Sequence, residues 1–242
     1  MPFLSNGSYP SPLIRLAPLM TAPLITLLLQ KAFVVFATLT PIINAPGMAP
    51  IFLTLTDGLS NTTRSRVARQ IAISGFLLVI GSVLIGSPLL AFFGVSLPVL
   101  RIAGGMLVTA TAWQLLRSEH PRPLAGPLHD RATEGSSTIA AFYPLTFPLT
   151  VGPGTISMSM TLGTEFGGTH LPTYIGLIAL VIGTALAAAV IFLSYRFAGA
   201  LIRTLGETGT IVFLRLSSFI LLCIGIQIGW EGLSYLIQSL RG

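Results

Sequence analysis

Two stretches of this chain place helix-breaking and hydrogen-bonding residues inside otherwise apolar runs. The first reads Pro41-Ile42-Ile43-Asn44-Ala45-Pro46-Gly47 and the second Pro148-Leu149-Thr150-Val151-Gly152-Pro153-Gly154, 107 positions further on. Each is Pro, four residues, then Pro-Gly. A proline removes a backbone N–H and clashes with the preceding turn, so two prolines and a glycine within seven residues should interrupt a helix. The freed backbone groups cannot face lipid, where nothing would hydrogen-bond them; they must face one another, a neighbouring helix or a watery cavity. Half-helix amino ends at such a cavity suit a carboxylate, and open carbonyls suit a cation or ammonium, so a zwitterion suits both. The candidate binding residues are therefore Asn44, Pro46, Gly47, Thr150, Gly152, Pro153, Gly154 and Thr155. Simple packing kinks are the plainer alternative for either stretch alone, and the match between the two argues against it.

A second group lies outside these stretches. Arg101 and Arg215 hold corresponding places, in Leu100-Arg101-Ile102 and Leu214-Arg215-Leu216. They either bind or gate a substrate carboxylate or snorkel to the interfaces. Gln114 and Gln227 are polar residues in apolar runs, and either line the cavity or bond between helices. Gly104-Gly105, Gly183-x3-Ala187 and Gly225-x3-Gly229 allow close helix approach. Trp113 and Trp230 fit interface anchors. The lone Cys223 and three histidines in polar connections make no metal cluster. Neither Gly-x-Ser-x-Gly, His-Glu-x-x-His nor an intramembrane Asp pair occurs, so the chain is not expected to be an enzyme, with no catalytic residue and no cofactor. Coupling to sodium, through carbonyls and hydroxyls, or to protons, through Glu231 or Asp57, is left open.

The elements that must position these residues follow from composition. Of 242 residues, 52% are hydrophobic and 8% charged, against about 25% charged in soluble domains. Such a chain needs a lipid bilayer as its solvent. Its net charge of +6 comes from basic residues scattered singly over connections, which sets topology and does not point to nucleic acid. Uncharged runs long enough to span place six helices near 29–56, 67–93, 98–116, 138–162, 172–197 and 210–236. The two shortest runs are bounded by Arg101 and Arg117 and by Arg215 and Glu231. Each covers roughly 24 Å of helix at about 1.5 Å per residue, which still spans when the flanking charges snorkel.

The expected fold is an all-α membrane protein of six transmembrane helices, built as two inverted three-helix repeats with helices 1 and 4 broken near mid-membrane. An odd number of helices per half forces opposite orientation of the halves, an arrangement common among secondary transporters. Residues 1–28 read as a leader without the basic region of a cleaved signal, 29–116 as the first repeat, 117–137 as a flexible cytoplasmic linker and 138–242 as the second repeat. Nine basic residues border the connections after helices 1, 3 and 5, against four on the other side. That places those connections in the cytoplasm and both termini in the periplasm.

The residues from Pro41 to Thr56, Phe93-Gly94-Val95-Ser96-Leu97-Pro98, Arg101-Ile102-Ala103-Gly104-Gly105 and Pro144 to Ile156 together resemble the MarC family. The resemblance covers residues 28–238. One departure stands out. The family's usual Asn-Pro-(Ile/Val)-Gly is here Asn44-Ala45-Pro46-Gly47, with the proline one place later. The resemblance implies a six-helix bacterial or archaeal inner-membrane protein. It also implies, in the branch of SnatA-type carriers, transport of small neutral amino acids such as glycine or alanine. Export of another small metabolite or drug, a channel, or a non-transporting membrane protein are the alternatives. Substrate identity, direction and oligomeric state are not legible.

Overall fold

The computed structural model describes residues 12–117, 141–167 and 173–239. These residues form eight helical elements: α1 (Pro12–Ile43), α2 (Ala45–Leu55), α3 (Asn61–Phe93), α4 (Leu97–Arg117), α5 (Ala141–Thr150), α6 (Pro153–Gly167), α7 (Thr173–Arg196) and α8 (Ala198–Ser239). The described residues contain no strand. Among the described residues five helices are long and apolar enough to cross a membrane: Leu24–Ile43, Asn61–Gly86, Leu97–Arg117, Tyr174–Arg196 and Ala198–Ser239. The linker expected at 117–137 lies, beyond Arg117, outside the described residues.

Local chemistry explains where the helices begin and end. Ser60 caps α3 by accepting a hydrogen bond from the Thr63 N–H at 3.2 Å. The helix therefore starts at Asn61, six residues before the uncharged run suggests. Its arginine-bearing first turns are ordinary helix that continues past the apolar span. At the other end Gly94 adopts φ 64°, ψ 22°, and the Val95 N–H reaches the Leu90 carbonyl at 3.0 Å. This left-handed stop is one that glycine accepts without strain. α1 likewise extends well before residue 29, to Pro12. α8 runs past both expected ends, from Ala198 to Ser239, and turns at Gly206 (φ 68°, ψ −178°).

Many hydroxyls inside the helices bond back one turn. Thr40 Oγ1 donates to the Phe36 carbonyl at 2.7 Å, Ser82 Oγ to Leu78 at 2.7 Å and Ser218 Oγ to Leu214 at 2.7 Å. Threonine and serine thereby satisfy themselves within apolar helices.

The main core is built by α1, α2, α3 and α7 around Leu39, Phe52, Ile71, Leu180 and Ile191, and a smaller one joins Ile42 to Val108, Ala112, Leu221 and Ile228. Outward faces carry Leu77, Ile85, Phe92, Leu193, Phe219 and Trp230, all exposed. Water would not tolerate so much apolar surface, and hydrocarbon would cover it. Glycines set the closest contacts. A Cβ on Gly105 of α4 would lie 2.5 Å from the Gly229 nitrogen and 2.6 Å from the Gly225 carbonyl of α8; one on Gly183 of α7 would lie 2.6 Å from the Ala32 carbonyl of α1; and one on Gly163 of α6 would lie 2.6 Å from the Val83 carbonyl of α3. Backbones this near exchange dispersion contacts directly, which lipid cannot match.

Candidate functional site

Between Ile43 and Ala45 the helical path turns at one residue. Asn44 sits at φ 48°, ψ 41°, the only non-glycine at positive φ among the described residues. Asparagine enters this left-handed region more readily than most residues. Its N–H still reaches the Thr40 carbonyl at 3.0 Å, and its carbonyl takes the Met48 N–H at 3.0 Å, so the backbone is bonded through the turn. Pro46 falls in the first turn of α2, where no N–H is needed. The Asn44 side chain does not cap α2. It folds over Gly47 instead, where an added Cβ would come within 2.6 Å of both amide head atoms.

The second interruption is longer. Within α5, Tyr143 (φ −120°, ψ 122°) and Phe147 (φ −118°, ψ 127°) are extended, each ahead of a cis proline, Pro144 and Pro148. The Val151 N–H bonds the Thr146 carbonyl at 2.8 Å, and α6 starts at Pro153, with the Ile156 N–H on the Gly152 carbonyl at 3.1 Å. Thr150 is buried and doubly held: Oγ1 donates to the Leu145 carbonyl at 2.7 Å and lies 2.8 Å from the Tyr195 hydroxyl. Tyr195, fully buried on α7, stacks on Phe52 of α2, with ring centroids 4.5 Å apart and planes 6° apart. One side chain thus touches the half-helix after the first turn and the segment before the second.

Both interruptions open on one cavity of about 350 Å³, within the size range of small-ligand pockets. Asn44, Thr150, Gly152, Pro153, Gly154 and Thr155 line it, with Gln114 and Thr111 of α4. The remaining walls are apolar, among them Met48, Ile51, Val108 and Leu221. The described lining contains amides and hydroxyls but no charged side chain. Gly154 lies against Val108, near the middle of α4: a Cβ there would be 2.1 Å from Val108 Cγ2. The α6 amino end is therefore level with the centre of a spanning helix. From this level the lining continues through Ile51 and Leu55 on α2 and Thr111, Gln114 and Leu115 on α4. It therefore runs toward the α2–α3 end of the bundle.

Two of the expected binding residues do not line the cavity. Pro46 and Gly47 lie behind Asn44, whose side chain covers Gly47. Of the second group only Gln114 reaches the lining. Arg215 is exposed, and Gln227, also exposed, donates to Glu231 Oε1 at 3.0 Å along its own helix. Arg101 is buried at the opposite end of the bundle from Leu55 and Gln114. Its Nη2 pairs with Glu165 of α6, its guanidinium sits 5.2 Å above the Tyr235 ring of α8, and its Nε has no partner among the described residues. Beside it, Ser157 Oγ donates to the Leu100 carbonyl at 2.8 Å and locks α6 to α4.

The uncharged-run criterion missed Glu165, because the run ends one residue short of it; it included Tyr195 within a span without marking it. For Glu165 the available signal was an acid at the α6 end that faces the start of α4, where an unpaired Arg101 needs a counter-charge. No signal in the sequence singles out Tyr195.

Comparison with known proteins places this architecture. The pattern of the MarC family of integral membrane proteins matches residues 29–237. A UPF0056 membrane protein of Archaeoglobus fulgidus is 30% identical over 210 residues, covering 86% of this chain and 94% of the relative. The UPF0056 inner membrane proteins MarC of Citrobacter koseri and Salmonella typhimurium are 29% and 28% identical over 205 residues, each covering 83% of this chain and 93% of the relative. No solved structure matches. Near-complete coverage, several apolar spanning helices and the family match together make this chain a multi-pass integral membrane protein of the MarC family.

Proposed function

We propose that this protein is a secondary transporter of small neutral amino acids, of the glycine and alanine class, working by alternating access. One observation carries the proposal: the turn at Asn44 ahead of α2 and the amino end of α6 meet at a single cavity lined by amides and hydroxyls without a charged side chain. The half-helix amino end of α6 favours the substrate carboxylate, with the Asn44 amide beside it. The neutral amide and hydroxyl oxygens accept hydrogen bonds from its ammonium, and the apolar walls limit side-chain size.

In this reading α1–α2 and α5–α6 are the broken helices 1 and 4 of two inverted three-helix repeats. The packing supports it. α1 packs on α7 as α5 packs on α3, and α2 packs on α8 as α6 packs on α4; these pairs interchange when the two halves are exchanged. α3 with α7 and α4 with α8 are their own counterparts. In the proposed cycle this is the state open toward the α2–α3 end, supported by the cavity lining that continues to Leu55 and Gln114, and closed at the Arg101–Glu165 end. Charge asymmetry makes the open end cytoplasmic and both termini periplasmic, in an inner membrane like that named for the Citrobacter koseri and Salmonella typhimurium relatives. Arg101 and Glu165 act as the outer gate.

The test is uptake and export of radiolabelled glycine, alanine, leucine and lysine by the purified protein in liposomes. Saturable movement of glycine or alanine is expected, and movement of none would overturn the proposal. Imposed sodium and proton gradients decide the coupling ion; stimulation by neither leaves an uncoupled carrier.

A further inference from the structure

At the end of the bundle toward which the cavity opens, a second hollow of about 270 Å³ lies between the start of α3 and the α7–α8 junction. Arg64, Arg196 and Arg203 line it with Asn61, Ser65 and Gly199, and the described lining holds no carboxylate. Three guanidinium groups around one hollow repel one another unless an anion joins them.

Two of the three are positioned by the protein. Arg64 donates from Nε to Thr56 Oγ1 and from Nη2 to the Thr56 carbonyl, both at 3.2 Å, where Thr56 is fully buried at the end of α2. Arg196 Nη1 bonds Ser65 Oγ, and its guanidinium lies 5.9 Å from the Phe192 ring and 5.8 Å from the Phe197 ring. These contacts leave further N–H donors on each fork. The α3 amino end adds its partial positive charge. At Gly199, in the first turn of α8, an added Cβ meets nothing within 4 Å, so the hollow extends to the helix backbone.

Position indicates the source of the anion. The hollow sits where the spans Asn61–Gly86 and Ala198–Ser239 begin and Tyr174–Arg196 ends. That is the level at which headgroup phosphates lie beside a bilayer, and basic pockets between spanning helices favour anionic lipid. Arginine forks match phosphate oxygens in geometry as well as charge.

We propose that this hollow is a phosphate-binding site, occupied by the headgroup of an anionic phospholipid. The site is independent of the transport proposal. Through Arg64 it also bears on the end of α2, the half-helix that forms one wall of the cavity.

The experiment is binding to the delipidated full-length protein in detergent, read by native mass spectrometry. The ligands are phosphatidylglycerol, phosphatidylcholine and inorganic phosphate. Phosphatidylglycerol should bind about tenfold or more tightly than phosphatidylcholine, the scale of one lost charge-assisted contact. Arg196→Gln with Arg203→Gln should erase that preference. Arg66→Gln with Arg69→Gln, exposed arginines of α3 outside the hollow, should keep it. Gly199→Leu should weaken phosphatidylglycerol binding without changing any charge, because it fills the hollow. If the Arg196 variant fails to fold, the exposed Arg203→Gln and Gly199→Leu decide alone. Competition by inorganic phosphate, lost in the same variants, upholds the site and makes free phosphate its ligand. No headgroup preference, equal loss from both arginine pairs, or indifference to Gly199→Leu overturns it.

Discussion

The two interruptions share a sequence pattern but differ in construction. The first turns on a single backbone, with Asn44 in the left-handed region and its amide over Gly47, free of any capping role. The second spreads over α5 and the residues up to Pro153, and it is clamped by Thr150 between the Leu145 carbonyl and Tyr195. Where the first presents a side chain to the cavity, the second presents a braced backbone. Prolines and glycines thus specify that a helix stops, while the residues between them decide whether the stop is a movable ligand or a fixed frame.

The largest effect should come from the braced side. Gly154→Val places branched carbons against Val108, whose Cγ2 already lies 2.1 Å from a Cβ at that position. Overpacking of this kind costs about 1–3 kcal/mol. It should abolish folded protein in detergent, measured by thermal unfolding on a sizing column. Gly47→Ala is the counterpart on the open side. The nearest atoms to its Cβ belong to the turnable Asn44 amide, and alanine's helix preference of about 1 kcal/mol offsets the shift. Stability should hold while uptake falls. Equal stability losses in the two variants would erase the distinction between frame and ligand.

Next in size is Asn44→Gly, which keeps the left-handed backbone and deletes the amide. Uptake should drop about tenfold, the equivalent of 1.4 kcal/mol, with the unfolding temperature little changed. Normal uptake in proteoliposomes would sink the role given to Asn44.

Tyr195→Phe is smaller and sharpens the comparison from the other side. The stack on Phe52 survives, but the Thr150 hydroxyl loses a partner, at about 0.5–1.5 kcal/mol. The melting temperature should fall and turnover should fall with it, without a change in apparent affinity. A change confined to affinity would make Thr150 a ligand like Asn44.

The smallest effect should be that of Glu165→Gln. Glu165 is 48% exposed, so solvent screens the pair, and its loss should cost about 1 kcal/mol or less. Its signature is a faster substrate leak through the closed end at unchanged stability, measured as efflux from loaded liposomes.

How much of this was legible beforehand follows from the chemistry of each element. Spans could be found because hydrocarbon permits few charges, and the cavity residues Asn44, Thr150 and Thr155 could be found because proline and glycine act locally. Helix ends were harder to find. Arg64, Arg66 and Arg69 read as a connection, whereas Ser60 had already started α3. Pro46 and Gly47 failed as lining for a reason of orientation: the pattern marks where a helix breaks but not which way its first turn faces. Arg101 with Glu165, and Tyr195 with Thr150, are contacts between distant segments, and spacing along one chain carries little information about them.

The uncharged lining of the central cavity has an electrical consequence. A charge moved across a membrane gains or loses about 2.3 kcal/mol per 100 mV. A zwitterion has no net charge, and the described lining adds none to travel with it. For the zwitterionic cargo proposed above, the membrane voltage would therefore do no work on the cargo itself. Any current accompanying such uptake would belong to a co-transported ion, and its size per molecule moved would count that ion directly.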